Sequence, residues 1–182
     1  MLKLMQGALR LCSHLTHRQA RSTGIAFVDS SKLQVCHNLR IFIHQVLKGT
    51  AKRGKGIMAW FYGFKLHLRV NDQSGIISVK GTTANVDDRK PVPAMTDELW
   101  GCLYEDKDYI SNPLERELFQ KRLIIGTVFD QLKNISQIEH SLHRSCISFM
   151  VNLLAGFISY SFQLKKLNIK ITRLDKQALM QI

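Results

Sequence analysis

Two aspartates stand where apolar runs end. Asp29 closes Gly24-Ile-Ala-Phe-Val, and Asp106 follows Leu103-Tyr104-Glu105. A carboxylate at the end of a buried strand is costly unless a cation pairs with it or a metal binds it. Two of them on adjacent strands offer hard oxygen ligands, the donors that divalent cations prefer. The simpler fate of a single Asp is to cap a turn or pair with a lysine.

Other residues carry weaker signals. Gly49-Thr-Ala-Lys-Arg-Gly54-Lys55-Gly56 approaches the phosphate-binding loop of nucleotide hydrolases, but Gly56 stands where a Ser or Thr would hold Mg²⁺. Read instead as a loop, the stretch offers Lys48, Lys52, Arg53 and Lys55 to DNA phosphates without reading bases. His140-x-x-His143-x-x-Cys146 lacks a fourth ligand and shares a helix face only approximately, so it reads as a polar helix start. His37 and His44 have no partner at ligand spacing, and His67 is expected to be solvated. Trp60, Phe61, Tyr62 and Phe64 resemble a base-stacking platform, yet their alternation fits core on one side and edge packing on the other. Asp87-Asp88-Arg89 is expected to cap the following helix rather than join a metal site.

Strands come first along the chain. Gly24 to Asp29 and Lys32 to Cys36 read as a hairpin across Ser30-Ser31. Trp60 to Val70 alternates, with Phe64, Leu66, Leu68 and Val70 on one face and Lys65, His67 and Arg69 on the other. Asn71 to Gly75 is a turn and Ile76 to Val79 a further strand. Helices follow: one opened by Thr96 as a cap, one over Pro113 to Lys121, and a continuation over Arg122 to Asn134. That last segment has an apolar stripe of Leu123, Ile124, Val128, Phe129 and Leu132. Ser145 to Leu164 is the final long helix. Strands followed by helices imply an α/β or α+β layout.

The 182 residues suffice for one domain with a real core. Lys and Arg outnumber Asp and Glu by 26 to 14, a formal charge of +12 that favours a polyanionic partner, nucleic acid or membrane surface. Cys12, Cys36, Cys102 and Cys146 form no C-x-x-C pair, which argues against a disulfide scaffold or zinc ribbon and fits a reducing cytoplasm. Met1 to Val28 lacks acids and has the composition of a mitochondrial presequence; a basic remnant of an upstream region is the preferred reading. Cys146 to Phe162 is apolar but short for a bilayer and contains Ser148, Asn152, Ser159 and Ser161, so a buried helix is expected rather than a membrane span.

Four segments occur in a telling order: Gly24 to Ser30, Tyr62-Gly-Phe-Lys-Leu-His67, Thr83-Ala-Asn-Val-Asp-Asp88-Arg, and Asp106-Lys-Asp-Tyr109. Arg122-x-x-x-Gly126-x-x-x-x-x-x-Lys133 follows. Together they resemble the core of a bacterial insertion-sequence DDE transposase, over most of the chain from about Thr23. The resemblance implies an RNase-H-like mixed sheet with flanking helices. It places the first two catalytic, metal-binding aspartates at Asp29 and Asp106, and the family's Arg and Lys at Arg122 and Lys133. It also implies Mg²⁺ or Mn²⁺. Three carboxylates are wanted because two dications about 4 Å apart repel one another.

Three departures accompany the resemblance. Gly126 stands where the third acid, a Glu, belongs. Asp130 lies a turn further on the same helix face, with a shorter arm starting about 6 Å away along the axis. Asp108 replaces a Gly. Only 19 residues separate Asp106 from Gly126, where relatives place an extra strand and loop, so one strand of the sheet is expected to be missing.

The expected organisation is a basic remnant over 1–22, a catalytic domain over 23–164 and a C-terminal basic tail over 165–182. The expected function is transposition with activity lost or impaired at Gly126. A non-catalytic basic DNA-binding protein is the alternative. The implied partners are double-stranded DNA, as transposon ends and target, with a homo-oligomer compatible and no membrane. The implied location is the bacterial cytoplasm, associated with DNA.

Overall fold

The computed structural model describes residues 20–21, 23–56, 59–96, 102–105, 124–139, 145–163 and 166. The expected helix over Pro113 to Lys121 lies outside them.

Strand β1 spans Ile25–Cys36, β2 Lys52–Lys55, β3 Trp60–Asn71, β4 Ile76–Thr83 and β5 Cys102–Glu105. β3 is central to an antiparallel group. Along one edge it pairs with β1 over its length; along the other, β2 and β4 pair with successive parts of it. β5 lies on the outer side of β1 and parallel to it. A short helix, α1, covers Val92–Thr96. In α2, an α-helix over 124–130 runs into a π-helical turn, Gln131–Ile135. The last helix, α3, covers Cys146–Ser161.

Helices cover one face of the sheet. Ile25, Phe27, Leu33, Leu66, Leu68 and Val70 point to that face and pack with Ile124, Ile125, Val128, Phe129 and Leu132 of α2, and with Phe149, Phe157 and Tyr160 of α3. Each such side chain contributes about 1.5–3 kcal/mol through apolar burial. The expected stripe on α2, apart from Leu123 outside the described residues, and Leu66, Leu68 and Val70 of the expected β3 alternation therefore belong to the core, with Phe64 packed against it. Ser145 caps α3 by accepting from the Ser148 amide at 3.0 Å. The helix has one buried flank, as its expected core position requires, and among the described residues no helix is long and apolar enough to cross a membrane. Gly156 permits close packing there, since a Cβ would lie 2.6 Å from Ile138 Cγ2.

Four local expectations need correction. Ser30 and Ser31 do not turn; they continue β1, opposite His67 and Leu66. A two-residue hairpin needs positive φ at its centre, which Ser does not favour, whereas β3 offers an unbroken ladder. Lys52 to Lys55 is a strand rather than loop, and no strand-loop-helix phosphate cradle exists there. Gly54 makes this possible: a Cβ would sit 1.9 Å from the Ala84 carbonyl oxygen, where β2 meets the end of β4. His67 is buried, not solvated, because the polar-looking face of β3 is covered by the segment after β4. Arg69 donates to the Met95 carbonyl and Lys65 to that of Val86 (2.9 Å). Finally, Thr96 is the last residue of α1 rather than the cap of a helix after it; residues 97–101 of that expected helix lie outside the described ones, and Cys102 belongs to β5. Pro93 suits a first turn, where an amide would have no helical partner.

The β3–β4 turn matches expectation. Asn71 accepts the amides of Gln73 (3.1 Å) and Gly75 (2.7 Å) on its side-chain oxygen. The Tyr160 hydroxyl donates to the Ser74 carbonyl at 2.6 Å, joining α3 to the turn.

Candidate functional site

Asp29 lies in the middle of β1 and pairs with Leu68 of β3. Cross-strand partners share a face. Its carboxylate therefore belongs to the face of Leu68 and Phe27, the one that α2 covers. The side chain is half-buried, and one oxygen accepts the Ser30 amide at 2.6 Å. On the outer side, the parallel ladder with β5 pairs Ile25, Ala26, Phe27 and Val28 with Cys102, Leu103, Tyr104 and Glu105. It stops on the two residues that precede Asp29 and Asp106. Asp106 itself, and Arg122, lie outside the described residues.

Asp88 serves the opposite face, a structural role rather than one at a metal site. Ser30 Oγ donates to Asp88 at 2.9 Å, and Lys65 Nζ pairs with it at 3.1 Å. Asp87 accepts the Arg89 amide at 2.9 Å in a local turn. Asp88 is thus separated from Asp29 by the sheet. Nearby, burial lowers the His67 pKa, an effect that the Asp88 charge opposes, and the ring bonds Thr82 Oγ1 at 2.9 Å.

Gly126 is exposed on α2, and a Cβ built there would meet nothing within 4 Å. Asp130, one turn on, is also exposed and accepts from Asn134 Nδ2. Lys133 is held rather than free: Nζ donates to the Lys32 carbonyl at 2.7 Å and pairs with Glu139 at 3.0 Å. The other Glu139 oxygen accepts the Gln34 amide at 3.2 Å. The π-helical turn of α2 is thereby fastened to the second half of β1. Glu139 was invisible in the sequence, because its partner Gln34 is 105 residues away and no local pattern links them.

No group of three or more His, Cys, Asp or Glu residues that could hold a metal occurs among the described residues. His140 and His143 lie outside them, and Cys146 is exposed on the first turn of α3.

Lys48, Lys52, Arg53 and Lys55 are all exposed. Between Asp29 and Asp72 the chain has no Asp or Glu and eight Lys or Arg. Trp60 is 51% exposed, whereas Phe61 and Tyr62 are buried and Phe64 stacks on Phe149 with centroids 5.5 Å apart. Core and edge packing thus account for the aromatic run, apart from Trp60.

Comparison with known proteins adds one finding. The family model described as the transposase DDE domain matches residues 19–120 and 113–146. These two stretches take in well over half of the chain and overlap within the interval between Asp106 and Gly126. No curated protein and no solved structure matches significantly.

Proposed function

Since this chain belongs to the transposase DDE-domain family, we propose that it derives from an enzyme that cuts DNA at transposon ends and joins them to target DNA, and that this copy is inactive or strongly impaired. The observation that carries the reading is the β1–β5 ladder. It ends on Val28 and Glu105. One further step of that register would set Asp106 beside Asp29, on the sheet face that α2 covers.

The strand arrangement supports an RNase-H-like sheet: three long antiparallel strands, with a fourth parallel to the first on its outer side. The short interval of 19 residues between Asp106 and Gly126 supports loss of a strand there.

Asp29 and Asp106 are the residues that would hold Mg²⁺ or Mn²⁺, through the hard oxygen donors such ions prefer. When bound, the ions supply activation of water or of a DNA 3′-hydroxyl, and charge stabilisation for the leaving oxygen. Gly126 contributes no oxygen. Anchored at Lys133 to Lys32, a helix running beside β1 would carry position 126 back by about 10 Å. The step from Lys32 to Asp29 on the strand is also about 10 Å. A Glu at 126 would then be the missing third ligand, whereas Asp130 starts a turn too far along. Lys48, Lys52, Arg53 and Lys55 hold DNA phosphates in this reading. Arg122 and Lys133 are the family's other basic residues. Lys133 reaches DNA only by leaving Glu139.

The test is Mn²⁺-dependent nicking of supercoiled plasmid by folded Gly126→Glu protein. Nicking should rise at least about tenfold over the parent chain, and Asp29→Asn in the same background should remove the gain. A folded Gly126→Glu variant with no gain would show that position 126 is not the main defect.

A second reading, a non-catalytic DNA-binding protein, is favoured by the acid-free basic stretch between Asp29 and Asp72. It requires duplex affinity to fall steeply with salt as counterions are released. Binding that ignores salt, or no binding, would remove it.

A further inference from the structure

We propose that Trp60, with Arg53 and Lys55, forms a platform for an unpaired nucleotide, so that this protein holds single-stranded DNA at a place separate from the carboxylate site. The proposal rests on the DNA-binding reading above and specifies what one part of that surface takes.

The geometry starts from β2. Lys55 is the cross-strand partner of Trp60, and Arg53 that of Tyr62, so both basic side chains share a face with the indole. The Arg53 guanidinium carbon lies 5.4 Å from the centroid of the Trp60 ring. A cation stacked there attracts the ring's negative face and holds it in one orientation. Asn38 Nδ2 donates to the Trp60 carbonyl at 2.7 Å, which fixes the backbone at the start of β3. Yet Trp60 remains 51% exposed, while its neighbour Phe61 is 2% exposed. A large, oriented aromatic at the surface has no role in this core.

Its surroundings define the ligand. The segment has no acidic side chain; Arg53 and Lys55 are exposed on the face of the ring, and Lys48 and Lys52 are exposed elsewhere along the same segment. Phosphates are therefore welcome, and an aromatic face takes a base of any identity by stacking. Paired bases keep their faces hidden within the duplex, so the platform suits an unpaired base. The site is distinct from Asp29: Trp60 and Leu68, the partner of Asp29, are eight residues apart in β3. That is about 27 Å at 3.4 Å per residue.

The experiment uses the full chain carrying Trp100→Phe, which leaves Trp60 as the sole tryptophan. A dT oligonucleotide of about 12 nucleotides and a duplex of the same length are titrated at low salt. The oligonucleotide should quench Trp60 fluorescence. In the parent chain, Trp60→Ala should weaken dT binding roughly tenfold and duplex binding less than about twofold. Trp60→Phe should retain most dT affinity, and circular dichroism should show each variant folded. Equal losses on both ligands, or dT binding without quenching, would overturn the platform while leaving DNA binding intact. Failure of both ligands to bind would overturn the DNA reading along with it.

Discussion

Lys133 reaches from the π-helical turn of α2 to the carbonyl of Lys32 at 2.7 Å, and so ties the helix that carries Gly126 to the strand that carries Asp29. Glu139 completes the tie by accepting from both Lys133 and the Gln34 amide. The two charged side chains are each 17% exposed, so the pair is shielded more than a surface ion pair. Removing one partner leaves the other charged in a partly buried place. Lys133→Ala should therefore lower unfolding free energy by about 1–3 kcal/mol in denaturant titrations. An unchanged midpoint would mean that apolar packing alone positions α2.

Gly126 lies in a helix with open space around it. Its substitution by Ala should stabilise the protein by about 0.5–1 kcal/mol, because the unfolded chain loses freedom and the helix gains propensity. Thermal unfolding of Gly126→Ala would check this. A lower midpoint would indicate that position 126 is crowded.

Gly54 has the opposite environment. Added bulk would meet the Ala84 carbonyl oxygen at 1.9 Å, and backbone cannot move aside as a side chain can. Gly54→Ala should cost at least about 2 kcal/mol and separate β2 from β4. Hydrogen exchange on β2 amides should accelerate in this variant, while β1 amides should stay protected if the loss is local.

Burial depresses the His67 pKa below its ordinary value of 6.5, with Asp88 opposing the shift. Above that value both folded and unfolded chains carry a neutral imidazole. Below it the unfolded chain takes up a proton that the folded chain resists. Stability contributed at neutral pH is then lost as pH falls through 6.5 toward the lower folded value. The denaturation midpoint should drop between pH 7 and pH 5, and His67→Gln should flatten that part of the profile. An identical slope in the variant would assign the acid sensitivity to other groups.

Much of the local pattern was legible in the sequence because it depends on neighbours in the chain. The alternation of β3, the apolar stripe of α2 and the Asn71–Gly75 turn each follow from period or turn chemistry within a few residues. The ordered motifs around Asp29, Asp88 and Asp106 were enough to point to the family. What sequence reading could not supply was what covers each face. His67 and Arg69 look like solvated positions until the segment after β4 is laid over them, and Ser30-Ser31 looks like a turn until β3 offers an unbroken ladder. Gly54 reads as loop punctuation until Ala84 arrives beside it, from 30 residues away. Hydrophobic period is a property of one segment, but burial and close approach belong to pairs of segments, and only the tertiary structure brings those pairs together. Lys133, Lys32 and Glu139 form such a set, and they join α2 to β1.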